Sequence, residues 1–171
     1  QHKIFGSKKY AADGIYDAAM MLRKYSDKHY TLATSEAGIL PLYSNWKAID
    51  TYGLNDQWIA HHGGITEEYL DKNKPEIIMF RALFSPLGMQ APESKNKYWF
   101  DMTMKLKSYA EKNEYTLAAS FGDTPYDTHN YYVRNDFPES AEIINKIRSI
   151  DYRWDTGKPA VNFTLFRTLN N

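Results

Sequence analysis

Apolar residues recur every three or four positions in several segments of the chain, which is the spacing of one helical face. This spacing predicts helices over residues 13–25 and 98–112. Residues 66–73 begin with a threonine, whose hydroxyl can accept from free backbone N–H groups, and predict a third helix. Residues 136–150 begin with an aspartate and carry a glutamate three positions later, a capping box that predicts a fourth helix.

Short runs rich in β-branched and aromatic residues alternate with these helices and predict strands. The runs cover residues 30–34, 46–50, 76–80, 115–120 and 131–134. The last run can pair back on the one before it as a hairpin. A strand, a helix and a second strand in this order predict a parallel crossover connection.

The remaining stretches predict loops and a sheet edge. Residues 84–97 contain two prolines and a glycine and predict a long loop, whereas residues 121–130 are polar and turn-rich. Residues 162–168 predict an edge strand. The whole pattern predicts one α/β domain over residues 1–171, a three-layer, Rossmann-like, mostly parallel sheet with helices on both faces.

Composition narrows the classes of function. The 171 residues include 21 Lys plus Arg and 21 Asp plus Glu, so the formal net charge is zero. A balanced charge argues against a broad nucleic-acid footprint, and we expect no nucleic-acid partner. The chain has no cysteine, which excludes disulfides, thiolate zinc sites and a cysteine nucleophile. No apolar run approaches the ~20 residues of a membrane-spanning helix.

The segment 34–64 is the densest in chemistry-bearing side chains. It contains the carboxylates Glu36, Asp50 and Asp56. In open α/β sheets, ligands bind beyond the carboxyl ends of the strands, so Glu36, Tyr43 and Asp50 are predicted to form one rim of a site. A structural alternative stays open, because aspartates also cap turns and helices through local hydrogen bonds.

Metal binding in the same segment is the weaker interpretation. His61 and His62, together with Asp50 and Asp56, offer suitable ligand atoms. Adjacent histidines point in different directions on a helix or a strand, and the motif HExxH is absent. We therefore expect no metal or other cofactor in this domain.

The aromatic content favours either carbohydrate contact or a large aromatic core. Four Trp and fourteen Tyr are many for a chain of this length. Amphipathic rings can stack on sugars while their polar atoms stay wet. The aromatic residues that lie near polar, turn-like sequence are Trp46, Tyr52, Trp58, Tyr126, Tyr131 and Tyr132.

Several short motifs resemble one family. Residues 35–44 read Ser-Glu-Ala-Gly-Ile-Leu-Pro-Leu-Tyr-Ser, and Ala-Ile-Asp, Gly-Leu-Asn-Asp and Ile-Ala follow at 48–50, 53–56 and 59–60. Lys-Pro-Glu-Ile-Ile stands at 74–78. This series resembles the C-terminal soluble domain of GT-C-type polytopic membrane glycosyltransferases. In that pattern two aromatic residues follow the proline, whereas in this chain Leu42 and Tyr43 follow Pro41, so one aromatic residue is missing.

The resemblance implies a parent protein that transfers a hexose from a polyprenyl-phosphate donor, with a divalent metal in its catalytic part. We expect the chain, which begins at Gln1, to be excised from such a protein and to face the periplasm or cell exterior. Its catalytic acid would lie among membrane helices outside this chain, so no catalytic residue is assigned. The expected role is to bind or position glycan or acceptor, or to brace the membrane part. The expected binding rim comprises Glu36, Tyr43, Asp50, Asp56, Trp46 and Trp58.

Two alternatives remain open. The chain can be a self-contained carbohydrate- or nucleotide-binding module, or a small hydrolase that uses Glu36 and Asp50 as paired carboxylates. A hydrolase should lose activity in Glu36→Gln, whereas a binding module should gain thermal stability from its ligand.

Overall fold

The computed structural model describes residues 14–83, 96–154 and 157–165. Its helices are α1 (Gly14–Arg23), α2 (Ile39–Ser44), α3 (Gln57–His62), α4 (Glu67–Asn73), α5 (Lys97–Lys112) and α6 (Ser140–Arg148). Its strands are β1 (Thr31–Thr34), β2 (Lys47–Asp50), β3 (Ile77–Ala82), β4 (Tyr115–Thr124), β5 (Asp127–Arg134) and β6 (Val161–Asn162). A short 3₁₀ turn, Ser26–Lys28, follows α1.

The described strands form one open six-stranded sheet in the order β2-β1-β3-β5-β4-β6. Strand β1 pairs in parallel with β2 and β3, as the crossover connections predict. The pairs β3–β5, β4–β5 and β4–β6 are antiparallel. The α/β class is therefore confirmed, but the prediction of a mostly parallel sheet is wrong. A tight turn joins β4 to β5, and two strands joined by so short a connection can pair only in the antiparallel direction.

Alternate residues of the central strands enter two separate apolar cores. Leu32 of β1 packs with residues of α1, α2 and α6, whereas the next residue, Ala33, packs with residues of α3, α4 and α5. Ile77 and Ile78 of β3 divide in the same way. Each core thus joins one face of the sheet to its own helices.

Helix α1 packs closely against the segment after α6. A Cβ atom on Gly14 would lie 2.4 Å from the ring of Tyr152, so only glycine fits there. The backbone N–H of Gly14 also donates to the carbonyl of Arg153 at 2.9 Å. The start of α1 is therefore fixed against the polar cluster described below.

Two of the predicted helix starts have different outcomes. Thr66 accepts the N–H of Tyr69 at 3.2 Å and caps α4 as predicted. The prediction that a capping box at 136–139 starts the helix is wrong, because α6 begins at Ser140. The side chain of its cap residue, Glu139, makes no hydrogen bond to the first turn. The Asp136 carboxylate accepts from Arg134 instead.

The turn-rich prediction for residues 121–130 is also wrong. These residues form the ends of the long hairpin β4–β5. Thr128, His129 and Asn130 are polar but buried. The Asn130 side chain accepts from the Ser120 hydroxyl at 2.7 Å and donates to the Thr128 hydroxyl at 3.0 Å. Buried polar pairs of this kind look like a loop in a sequence pattern.

The short helices α2 and α3 lie in stretches where the sequence pattern predicts no helix. The predicted loop falls almost wholly on residues 84–95, outside the described residues. In the tail, the strand β6 lies at the sheet edge but covers only Val161–Asn162, so the predicted edge strand over 162–168 is confirmed only at Asn162. Residues 163–165 form a 3₁₀ turn instead, and the residues from 166 onward fall outside the described part. Among the residues described, no helix is long and apolar enough to cross a membrane.

Candidate functional site

The parallel strands bring several predicted site residues to one edge of the sheet, here called the carboxyl edge, where β1, β2 and β3 end. Thr34, the last residue of β1, pairs with Asp50, the last residue of β2. Glu36, two residues after β1, and Asp50 therefore lie at the same edge of neighbouring strands. The Ser35 hydroxyl accepts the backbone N–H of Arg81 at 3.0 Å, which ties the end of β1 to the end of β3. Glu36 is partly exposed there.

Asp50 anchors the turn after β2. Its Oδ1 accepts the N–H groups of Tyr52 at 3.1 Å and Gly53 at 3.3 Å, and its Oδ2 accepts that of Asn55 at 2.8 Å. The residue is 4% exposed. Both carboxylate oxygens are therefore occupied by local backbone donors.

Asp56 caps a helix rather than pairing with Asp50. Its Oδ1 accepts the N–H of Ile59 at 3.1 Å at the start of α3, and its Oδ2 accepts the Tyr69 hydroxyl at 3.0 Å. Burial, together with this hydrogen bond to Asp56, raises the pKa of Tyr69. Asp56 thus joins α3 to α4.

The predicted aromatic rim divides between core and surface. Trp46 is 5% exposed and donates its Nε1–H to the Leu22 carbonyl at 2.9 Å, so it is a core residue. Tyr43 is half-buried, with its ring 5.0 Å from that of Tyr16. Trp58 is half-buried and stacks on Tyr69 with ring centroids 4.2 Å apart.

The two adjacent histidines lie exposed at the end of α3. The His62 ring stacks on Trp58 at 3.9 Å, and its Nδ1 lies 2.7 Å from the Trp58 carbonyl. Within residues 14–83, 96–154 and 157–165, no three His, Asp or Glu side chains are grouped as a metal site would require.

The carboxyl edge also carries an ion pair that the sequence analysis missed. Arg81 donates to both oxygens of Asp127, from Nε at 2.8 Å and from Nη2 at 2.6 Å. The guanidinium carbon lies 5.6 Å from the centre of the Trp154 ring. A signal was present, because Arg81 directly follows a predicted buried strand at its carboxyl end.

A buried chain of polar rings lies beside this ion pair. His129 Nδ1 lies 2.8 Å from the Tyr152 hydroxyl, which lies 3.0 Å from the Tyr131 hydroxyl. The imidazole stacks on Trp154 at 4.3 Å, and its Nε2 has no hydrogen-bond partner among the residues that the structure describes. Burial, with a smaller effect of the Arg81 charge, lowers the pKa of His129 to about 3, so the ring is neutral near pH 7.

The opposite edge of the sheet, here called the amino edge, contains a cleft of ≈ 430 Å³. Its charged lining residues are Asp71, Lys74, Arg134 and Asp136, and its remaining lining residues are Tyr109, Asn113 and Tyr115. The cleft therefore forms where α4, α5, β4 and β5 meet. None of the predicted rim residues lines it.

The walls of this amino-edge cleft are held by hydrogen bonds. The Tyr109 hydroxyl donates to Asp71 Oδ1 at 2.9 Å, and the Tyr115 hydroxyl donates to the Pro75 carbonyl at 2.5 Å. Burial raises the pKa of both phenols, and for Tyr109 the bond to Asp71 adds to the effect. Both hydroxyls thus remain neutral donors.

Arg134 forms the most connected part of the cleft. Its guanidinium donates to Glu76 Oε1 at 2.9 Å, to the Asp136 carboxylate and to the Lys74 carbonyl. Lys74 itself has a φ of 41°, in the left-handed region that favours glycine. The backbone and the arginine are therefore fixed before any ligand arrives.

Comparison with known proteins gives one match. A family described as Domain of unknown function (DUF8728) matches residues 5–138, a span that includes the cleft residues and the carboxyl ends of β1, β2 and β3. No curated protein and no solved structure matches the chain. Because the matched span exceeds half of the 171 residues, this chain belongs to the family described as Domain of unknown function (DUF8728).

Proposed function

We propose that the chain is a non-catalytic soluble domain of a membrane glycosyltransferase and that its carboxyl edge contacts the membrane-embedded part. The observation that carries this proposal is a contrast at that edge. Its aspartates, Asp50 and Asp56, are engaged by backbone N–H groups, whereas large apolar side chains stand exposed beside them. Such an edge is suited to contact rather than to acid–base chemistry.

Four exposed side chains define this contact surface: Leu54 at 76%, Leu83 at 39%, Tyr98 at 39% and Tyr126 at 44%. Leu54 follows β2 and Leu83 follows β3. The Tyr98 hydroxyl donates to the Tyr52 carbonyl at 3.4 Å, and Tyr126 lies in the turn between β4 and β5. Single exposed apolar residues are normal, but several at one edge mark an interaction surface.

The proposed setting follows from the resemblance to GT-C-type enzymes. The domain faces the periplasm or cell exterior, and membrane helices of the same protein supply the anchor. The donor is a polyprenyl-phosphate sugar, and any divalent metal belongs to the parent's catalytic part. The domain then holds glycan or acceptor, or braces the parent, without a cofactor of its own.

The fold supports a more specific relation for half of the sheet. Strands β2, β1 and β3 are parallel and are joined through helices, and helix residues enter the cores on both faces. We propose that this half is a Rossmann-like, three-layer unit to which the antiparallel hairpin was added. Ligand or partner contact at its carboxyl edge follows the general rule for such sheets.

The hydrolase alternative has less support. A paired-carboxylate mechanism needs a second carboxylate that is free to act as nucleophile or base. Asp50 would have to release three backbone N–H groups to do so. A self-contained binding module is the second candidate function, because the cleft at the amino edge offers a site of ligand size.

The proposal is tested with Leu54→Glu and Tyr126→Glu in the full-length gene product. A charge at a buried contact is costly, so sugar transfer from a polyprenyl-phosphate donor in isolated membranes should fall in each variant. Met104→Glu is the matched control, because Met104 is 38% exposed and lies within α5, away from the edge. Full transfer by both edge variants, with correctly folded domains, would overturn the proposal.

A further inference from the structure

We propose that the amino-edge cleft binds a short uncharged saccharide through hydroxyl contacts with Asp71, Lys74 and Asn113. This site lies at the opposite end of the sheet from the proposed contact surface. It does not depend on a membrane parent, because binding is measured on the chain alone.

The size and shape of the cleft suit a small ligand. Its volume of ≈ 430 Å³ falls in the range of roughly 300–1,000 Å³ that ligand sites occupy. The nearly buried rings of Tyr109 and Tyr115, with centroids 6.1 Å apart, close it with apolar surface. Polar groups surround these rings, a combination that amphipathic sugars can match.

The charges of the lining favour a neutral ligand. Lys74 and Arg134 carry two positive formal charges, and Asp71 and Asp136 carry two negative ones. Arg134 is already paired with Glu76 at 2.9 Å and with Asp136. The cleft therefore has no excess charge of either sign to attract a phosphate or a polyamine.

The free hydrogen-bonding groups favour a ligand that both donates and accepts. Among the described residues, nothing bonds to the Lys74 ammonium, to Asp71 Oδ2 or to Asn113 Oδ1. An ammonium only donates, whereas the two oxygens only accept. A hydroxyl can serve either partner, so vicinal hydroxyls on one sugar ring can satisfy all three.

The cleft is also preorganised, which lowers the entropic cost of binding. Tyr109, Tyr115 and Arg134 are each held by hydrogen bonds within the protein. Lys74 stands at a left-handed position just after α4, and its carbonyl accepts from Arg134. A ligand would have to order little more than the Lys74 side chain.

The test is an NMR titration of the ¹⁵N-labelled chain with cellobiose, lactose and maltose, and with inorganic phosphate and spermidine as charged probes. We expect at least one disaccharide to cause saturable shifts confined to the amides that flank the cleft, at 71–74, 109–115 and 134–136. The affinity should change little with salt, since no ion pair forms.

Two variants link the titration to this site. Lys74→Gly removes the ammonium at a position where glycine is unstrained, and Asp71→Asn keeps an acceptor for Tyr109 but replaces Oδ2. Each should weaken disaccharide binding about ten- to a hundredfold, the usual effect of losing one hydrogen bond to a charged group. His29→Gly is the matched control, because His29 is exposed, has a φ of 57° and lies outside the cleft.

Thermal melting of each variant verifies that it is folded. The proposal is overturned if no disaccharide shifts these amides, if only phosphate or spermidine does, or if Lys74→Gly binds like the parent chain. None of these results bears on membrane association, so failure here and failure of the proposed function are distinguishable.

Discussion

At the scale of single residues, Asp50 is the predicted site residue whose role the contacts define most sharply. Asp50→Ala leaves three backbone N–H groups without their acceptor, so we expect the free energy of unfolding to fall by about 2 kcal/mol. Asp50→Asn should cost less, because one side-chain oxygen remains. Urea melts measure both, with Asp123→Ala at an exposed position as control. Equal stability of Asp50→Ala and the parent chain would show that the carboxylate does not anchor this turn.

The buried imidazole of His129 should make the free energy of unfolding depend on pH. Its pKa is about 3 in the folded chain and about 6.5 when unfolded, so between these values only the unfolded state binds the proton. Stability is therefore complete above pH 6.5 and falls as the pH drops toward 3, by about 1 kcal/mol per unit. Urea melts from pH 7 to 5 measure this slope above the range where carboxylates titrate.

His129→Phe is the comparison for this slope, because phenylalanine can keep the stacking on Trp154 but cannot take up a proton. The variant should show a flat profile between pH 7 and 5. A slope unchanged by the substitution would mean that another group causes the acid sensitivity.

At the scale of elements, two substitutions of Thr66 test whether its hydroxyl caps α4. The Thr66 hydroxyl accepts the N–H of Tyr69 at 3.2 Å, and α4 ends beside the cleft residue Lys74. Thr66→Ala should lower the free energy of unfolding by about 1 kcal/mol, whereas Thr66→Ser keeps the hydroxyl and should cost less. Chemical denaturation measures the free energy of unfolding of both variants. Equal losses of stability in Thr66→Ala and Thr66→Ser would show that the hydroxyl does not cap the helix.

Elements with strong periodicity could be predicted from the sequence, and those set by tertiary contacts could not. Helices α1 and α5 and strands β1 and β3 lie close to their predicted positions, because each has a clear apolar face or a buried run. Helices α2 and α3 are too short to show a period. The hairpin β4–β5 was predicted, but its full length was not, because the buried polar residues around Asn130 resemble a loop in the sequence.

The sequence predicted where the carboxyl-edge acids lie but not what they contact, and it did not predict the amino-edge cleft. The rule for carboxyl ends brings Glu36 and Asp50 to one edge, yet spacing alone could not show that backbone N–H groups occupy Asp50. The cleft joins Asp71, Tyr109 and Arg134, which are far apart in sequence. Only the packing of α4 and α5 on the sheet brings them together.

At the scale of the whole molecule, the two edges of the sheet differ in character. The carboxyl edge carries exposed apolar side chains with engaged aspartates, and the amino edge carries a polar cleft with fixed walls. A domain that contacts a membrane-embedded partner at one end and a glycan at the other would use both edges. The two tests above examine them separately.

Fractionation of the full-length gene product, detected by an antibody raised against this domain, tests most directly whether the domain belongs to a membrane protein. We expect the product to stay in the membrane pellet after an alkaline carbonate wash, because several segments of about 20 apolar residues would span the bilayer. A product found in the soluble pool would overturn the proposed membrane glycosyltransferase. The chain would then have to act without a membrane parent.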